Sequence, residues 1–421
     1  MGAGIAGIGA GLALIEARRD FLVLEAEDGP GGLLRTDEVD GFRFDRSGHF
    51  LHFKGDLLSS RLEQTAVPLD CIERRSAVVV GDKVIPYPIQ YNLWALDSSA
   101  VAETAVAEVL AHGESAETPG SLAELLLTSW GPTLLDLFFR PYNEKLWGRP
   151  LEDLPADCVG GYLPTTDVEL AAEGAKGPTT YPGYNGTFYY PTSGRVGDVA
   201  DALAARLGGR ARYARSVASI DLNARIVETA DGESFPYETL ISTLPLDQLL
   251  VLTGQSPSPE LFEATEILNV RVGFRGSMRV PLHWVYVPDA ALPFHRIGFP
   301  GNVNAKTCPP GCASLSIEYT YPREGLPLKG EAIAAAALEW LDDLGFVDVE
   351  ETLSVSEHLL SPSYVVHRSP GRAEFEGIRV LLADGSVSVA GRFGTWDYFS
   401  IEESFESGFH VGTTVREVTR V

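Results

Sequence analysis

The chain has 421 residues, 45% of them apolar, with 58 acidic against 33 basic side chains and a formal charge of −25. That charge disfavours nucleic acid or an anionic membrane surface as a partner, because a polyanion repels an acidic chain. There is no apolar run of about 18 residues and no signal-peptide pattern, and the cysteines (Cys71, Cys158, Cys308, Cys312) lack zinc-site spacing, which predicts a cytoplasmic protein with free thiols and no bound metal.

The chain opens on Gly2-Ala3-Gly4-Ile5-Ala6-Gly7, a dinucleotide-binding fingerprint. Its glycines allow a tight turn, a close approach to a pyrophosphate and close helix packing, and the helix that follows offers free N–H groups to phosphate. Residues 8–19 read as a small-residue helix, and Phe21-Leu22-Val23-Leu24 as a buried strand ending in Glu25. Glu25 lies at about the 20-residue spacing of a ribose-binding carboxylate. This architecture calls for about five or six apolar residues ahead of Gly2 as the central strand. The expectation is therefore a start upstream of Met1; the alternative is weak cofactor binding by the chain as written.

Downstream, Pro30-Gly31-Gly32-Leu33-Leu34-Arg35-Thr36 permits a second close backbone approach. A strand over 41–45 then leads into Ser47-Gly48-His49-Phe50. Short strands are expected at 77–80 and 83–87, and helices through 96–150, where Leu122, Leu126, Trp130, Leu134, Leu137 and Phe138 keep amphipathic spacing. Residues 165–186 read as a loop and 194–207 as a turn entering a helix. Strands follow at 212–220, 225–229 and 239–243, antiparallel strands over 265–320, and a helix at 329–344. The end returns to a nucleotide-binding pattern, with strand Val387 to Ala390, turn Gly391-Arg392-Phe393-Gly394 and helix 402–418.

The fold class implied is α/β: a Rossmann-like FAD-binding domain carrying an inserted α+β substrate domain. The first comprises 1–58, 188–246 and 380–421; the second comprises 59–187, with its helical part at 96–150, and 247–379, with its antiparallel sheet at 265–320. A simple NAD site needs no glycine-rich return, whereas a large flavin is met by the N-terminus of a last helix beginning near Ser400-Ile401, which can stabilise charge on the reduced ring. The expected cofactor contacts are Gly2, Gly4, Ile5, Ala6, Gly7, Glu25, Ala26, Gly31, Gly32, Leu33, Gly48, Val217, Gly391, Arg392, Ser400 and Ile401.

These blocks resemble the amine-oxidase and protoporphyrinogen-oxidase superfamily of FAD proteins, and within it the UDP-galactopyranose mutases, especially the eukaryotic-type branch. Ser47-Gly48-His49-Phe50 is similar to that family's Gly-Gly-His segment beside the flavin, with Ser47 standing where the family has its first glycine. Arg140-Pro141-Tyr142-Asn143-Glu144-Lys145-Leu146-Trp147 resembles its Arg-Pro-Tyr-Asn-x-Lys-x-Trp motif, whose arginine contacts the substrate diphosphate. Trp284-Val285-Tyr286 with Phe294-His295-Arg296 is similar to the strand pair supplying a tyrosine and a second arginine to the same phosphates. Gly391-Arg392-Phe393-Gly394-Thr395-Trp396-Asp397-Tyr398 is similar to the C-terminal block, where the arginine approaches flavin and diphosphate and the tyrosine binds a phosphate. The segment around Tyr364 departs from the family's sugar-side region.

The resemblance implies interconversion of the pyranose and furanose forms of a nucleotide-diphosphate hexose. N5 of reduced FAD attacks the anomeric carbon, the diphosphate leaves, and the sugar recloses from a flavin–sugar adduct. A reductant such as NAD(P)H or a reductase would be needed to begin. The catalytic candidates are His49, Arg140, Arg296 and Arg392, and the substrate-binding candidates are Arg140, Tyr142, Asn143, Tyr286, Arg296 and Tyr398. Arginine forks suit phosphate oxygens and tyrosine hydroxyls can add donors. The alternative for Arg140 and Arg296 is pairing with the abundant acids, and Tyr142 and Trp147 better suit a core or domain interface. His52 is read as structural, and His295 and His367 have no assignable partner. Two other functions stay open: an oxidase or desaturase acting on an amine, porphyrinogen or polyene, and a non-catalytic binding module like the GDP-dissociation inhibitors.

Overall fold

A computed structural model describes residues 1–96, 98–112, 119–159, 167–179, 186–323, 325, 327–366 and 372–415. Its opening glycines lie at the centre of a parallel sheet. Val23–Leu24 runs parallel to Ala211–Arg212, and Leu240–Ser242 runs parallel to Val387–Val389. Residues 1–3 join the two pairs: Gly2 N–H donates to the Leu24 carbonyl at 2.8 Å, and Thr243 N–H donates to the Met1 carbonyl at 3.1 Å. Met1 to Ala3 thus hold the central position expected of the strand that aims the glycine loop.

Helix Ile5–Glu16 is buried from Ala6 through Leu14, because its small residues let neighbours approach closely. The closest approach is to the last helix, Ile401–Thr414. A Cβ on Gly408 would lie 1.8 Å from the Ala6 carbonyl oxygen, and one on Gly9 would lie 2.4 Å from that of Phe405. Backbone meets backbone here, and the contact leaves no room for even one methyl group.

The second unit is built on a seven-stranded sheet. Its spatial order is Val347–Leu360, Thr265–Met278, Cys312–Pro322, Arg296–Gly298, Trp284–Tyr286, Ser76–Val80 and Lys83–Pro86. All neighbours are antiparallel except Trp284–Tyr286 against Ser76–Val80. Helix Gly330–Asp343 covers one face with buried Ile333, Ala337 and Leu341. Strand Leu69–Glu73 pairs with Thr187–Pro191, so hydrogen bonds cross the boundary expected at 187/188.

The helical layer comprises Ser99–His112, Leu122–Leu134, a wider π-helical turn Leu135–Phe139, and Arg140–Trp147, which ends at left-handed Gly148. By length and composition Leu122–Trp147 could cross a membrane, but it is kinked at Gly131 and half of its most apolar window is buried. Trp130, Leu134, Phe138, Phe139 and Trp147 lie in the core of this layer.

Several elements differ from expectation. The stretch 165–186, expected to be a loop, contains helix Val168–Gly174, capped by the Asp167 side chain. Helices Leu246–Leu252 and Arg372–Asp384 and strand Val347–Leu360 are additional. That strand carries exposed Glu350 and Glu351, and Glu357 accepts from Gly330 N–H at 2.7 Å, so it lacks the apolar run that marks a buried strand. The first helix starts at Ile5 and the last is described to Thr414. His367 and residues 416–418 of the expected last helix lie outside the described residues.

Gly408→Ala is expected to lower stability by about 1–3 kcal/mol, the usual cost of overpacking. Gly209→Ala, where an added Cβ meets nothing within 4 Å, should change it little. Chemical denaturation of both variants checks this.

Candidate functional site

Between the parallel sheet, the seven-stranded sheet and the helical layer lies a cavity of about 720 Å³, within the range of cofactor and ligand sites. Of the expected cofactor contacts, Gly2, Gly4, Ile5, Ala6, Glu25, Gly31, Gly32, Leu33, Gly48, Gly391, Arg392, Ser400 and Ile401 line it. His49, Tyr142, Asn143, Tyr286, Arg296 and Tyr398 line it as well.

Four expected residues are not among its lining. Gly7 serves packing, since a Cβ there would lie 1.9 Å from the Gly2 carbonyl oxygen. Ala26 is exposed, and Val217 sits in strand Val217–Asp221 against the core. Arg140 is the main correction. Its guanidinium pairs with Glu152 at 2.9 Å and Glu144 at 3.1 Å, and an excess of nearby acid holds it outside the cavity.

The cofactor end is made of backbone. Gly2, Gly31 and Gly32 have φ of +88°, +115° and +58°, conformations that side chains disfavour. A Cβ on Gly32 would meet the Gly4 Cα at 3.2 Å. Helix Ile5–Glu16 has no side-chain cap at Gly4, so its first N–H groups remain available to an anion. The Glu25 carboxylate is oriented in advance: Oε2 accepts from Ala3 N–H at 2.5 Å and Oε1 accepts from Glu27 N–H at 2.9 Å. Bare glycines, an uncapped helix start and a fixed carboxylate along one cavity fit the pyrophosphate and ribose of FAD.

The last helix offers less positive charge than its position implies. Ser400 and Glu403 form a capping box, and Glu402 and Glu403 both lie in the first turn. Side-chain oxygens already satisfy part of the helix dipole. Glu402 is buried and accepts from Lys54 N–H at 2.7 Å and Gly55 N–H at 3.1 Å, which ties the 54–55 turn to this helix.

Glu318 organises the centre of the site. It is 2% exposed and projects from strand Cys312–Pro322. Its Oε1 accepts from Ser47 Oγ at 2.7 Å, Gly48 N–H at 3.3 Å and Arg296 Nη2 at 2.7 Å, while Oε2 accepts from Arg296 Nε at 2.9 Å. His295 Nε2 lies 3.3 Å from Oε2, and its Nδ1 is 3.2 Å from Thr320 Oγ1. Burial alone would raise the Glu318 carboxyl, but Arg296 and His295 hold it well below the usual carboxylate range. This carboxylate is the partner that His295 lacked in the sequence.

His49 stands on the loop that Glu318 holds. Burial pushes its imidazole down to about 4, with the Arg392 charge acting in the same direction, so the ring is neutral at physiological pH. Arg392 donates from Nη2 to the Ser363 carbonyl at 2.9 Å and lies over the Tyr398 ring at 4.4 Å and the Tyr364 ring at 5.5 Å. Tyr364 stacks on Tyr398 and packs on Trp147. Tyr142 meets Tyr286 edge-on at 5.4 Å, and burial raises its phenol well above the ordinary value, which keeps it a protonated donor.

Sequence reasoning missed Glu318, which stands behind Ser47 and Arg296, and the part that Arg74, Tyr87, Trp284 and Tyr364 play in the wall. It also read His52, which lines the cavity, as structural. Glu318 had a faint signal as a lone acid between Ile317 and Tyr319 in a strand-like run. Its partners Ser47 and Arg296 come from distant segments that only folding brings together.

The family model described as flavin containing amine oxidoreductase matches residues 5–284. Among solved structures, reduced UDP-galactopyranose mutase is similar at 23% identity and a TM-score of 0.89, over 98% of this chain and 92% of that one. A candidate protoporphyrinogen oxidase from Exiguobacterium sp. 255-15 is similar at 17% identity and TM-score 0.71, over 98% and 96% of the two chains. Putrescine oxidase bound to putrescine is similar at 14% identity and TM-score 0.65, over 98% and 96%.

The His49 imidazole is expected to titrate near 4. Between that value and its ordinary 6.5 the unfolded chain then binds more protons than the folded one, so acidification through this window removes stability. Imidazole ¹⁵N NMR against pH measures the midpoint, and His49→Asn should lessen the loss of stability over the same window, the remainder coming from His283 and His358, which burial also pushes down to about 4.

Proposed function

The chain belongs to the flavin containing amine oxidoreductase family, and from that premise we propose that it is an FAD-dependent nucleotide-sugar mutase interconverting the pyranose and furanose forms of a nucleotide-diphosphate hexose. The observation that carries this reading is one cavity joining a dinucleotide cradle to phosphate-seeking side chains: Gly4, Gly31 and Gly32 with Arg296, Arg392, Tyr286 and Tyr398. The 0.89 TM-score to a mutase supports it, against 0.71 and 0.65 for the two oxidase-type neighbours.

In this reading reduced FAD, when bound, supplies a nucleophilic ring nitrogen to the anomeric carbon. The chain's own residues bind, orient and neutralise. Arg296 is held by Glu318 through Nε and Nη2, which fixes the guanidinium and leaves its Nη1 side to meet a phosphate oxygen. Arg392 is fixed by the Ser363 carbonyl and the Tyr398 ring beside the same cavity. Tyr142, Tyr286 and Tyr398 add hydroxyl donors, and neutral His49 adds no charge to the flavin side. Such a site acts by positioning and charge compensation. Reducing equivalents would come from NAD(P)H or a reductase.

A second reading, an oxidase, draws on the aromatic wall of Phe138, Phe139, Trp147, Tyr364 and Tyr398 and on the Glu318 carboxylate, which already compensates Arg296. The two readings separate cleanly in an assay. Dithionite-reduced holoprotein supplied with UDP-hexoses should yield a furanose product; turnover only with oxidised flavin and oxygen favours the oxidase.

Arg296→Lys should weaken UDP binding by about 1.5–3 kcal/mol, the worth of a hydrogen bond to a charged group. Arg140→Lys should weaken it less, since Arg140 is occupied by Glu144 and Glu152. Isothermal titration measures both, and equal losses would place Arg140 at the ligand.

A further inference from the structure

Ser47 is a non-glycine residue held at φ +68°. That left-handed conformation is disfavoured for an L-residue, so it persists only where its surroundings impose it. Here the imposing contact is the buried Ser47 hydroxyl, which donates to Glu318 Oε1 at 2.7 Å. The same oxygen accepts from the next residue, Gly48 N–H at 3.3 Å, and from Arg296 Nη2 at 2.7 Å. One carboxylate oxygen therefore serves three donors, two from the loop that carries His49 and one from the guanidinium at the cavity wall.

Donors crowded on one acceptor compete, because each draws on the same lone pairs and negative charge. A phosphate that draws the Arg296 guanidinium toward the cavity would release charge on Oε1 to Ser47 and Gly48. The reverse also holds: a loop drawn away from Glu318 tightens the carboxylate on Arg296. Loop and guanidinium abut as well, since a Cβ on Gly48 would lie 3.3 Å from Arg296 Nη2. Oε2 accepts from Arg296 Nε at 2.9 Å, which keeps the carboxylate from turning away, and His295 Nε2 lies 3.3 Å from the same oxygen.

We propose that Ser47 is a positioning residue which, through Glu318, couples the His49 loop beside the flavin to the phosphate-facing guanidinium of Arg296. Because the resembled mutases carry glycine at this place, the serine hydroxyl is a feature of this chain. The inference rests on the functional reading above for the phosphate ligand, while the coupling itself is a property of the protein.

Two measurements on FAD-reconstituted protein test it. The first is a double-mutant cycle of Ser47→Gly and Arg296→Lys, read as the flavin midpoint potential without nucleotide. Glycine accepts the +68° φ of this position, so Ser47→Gly removes the side chain without backbone strain, and Ser47→Ala removes the hydroxyl while keeping the Cβ. Coupling predicts non-additive shifts, whereas independent structural roles predict additive ones. The second is titration with UDP, read as the flavin difference spectrum. In Ser47→Gly and in Ser47→Ala its amplitude should fall at least about threefold while the UDP Kd changes by less than about twofold. An additive cycle, or undiminished amplitude in both variants, overturns the proposal. A non-additive cycle in a protein that binds no UDP would uphold the coupling and remove the mutase reading.

Discussion

The fold turns on a contact without side chains. Where Gly9 faces the Phe405 carbonyl and Gly408 faces that of Ala6, the first and last helices approach backbone to backbone. This brings residues nearly the length of the chain apart into register and sets Ile5 and Ile401 at the wall of one cavity. Everything inserted between them hangs on that pairing: the seven-stranded sheet supplies Arg296 and Glu318, and the helical layer supplies Tyr142 and Asn143.

The second organising force is charge kept local. A chain of net charge −25 can hold a diphosphate only where an arginine keeps part of its guanidinium at the cavity wall, as Arg296 and Arg392 do. Arg296 and Arg392 meet that condition in different ways. The first shares a buried carboxylate with the Ser47 loop, and the second is clamped by carbonyl oxygens and aromatic rings. Arg140 does not meet it, because Glu144 is one helical turn away and Glu152 follows closely. The placement of acids around each arginine thus bears on which of them reach the cavity.

Much of this was legible because local rules act on neighbouring residues. The opening glycines, the helix they begin, the strand ending at Glu25, the apolar spacing of 122–138 and the final strand–turn–helix follow from periodicity and turn chemistry. What escaped were elements whose burial is one-sided or late. Val347–Leu360 is a strand because Thr265–Met278 pairs with it along its length, although its acidic positions conceal the pattern. Val168–Gly174 lies in a stretch read as a loop, where the Asp167 cap was the only clue.

The sequence by itself determined the dinucleotide loop, the α/β class and the residue types at the site, since glycine conformations and side-chain chemistry are properties of single residues and short spacings. Tertiary structure alone decided which candidates face the cavity. It sent Arg140 to its acids, fixed Arg296 on Glu318 and joined Ser47 to a carboxylate 271 residues away. It also placed Met1–Ala3 in the centre of the parallel sheet, the position whose missing strand the opening glycines had left in question. Hydrogen bonds between distant segments depend on packing, and packing is settled only when the whole chain competes for the same few partners.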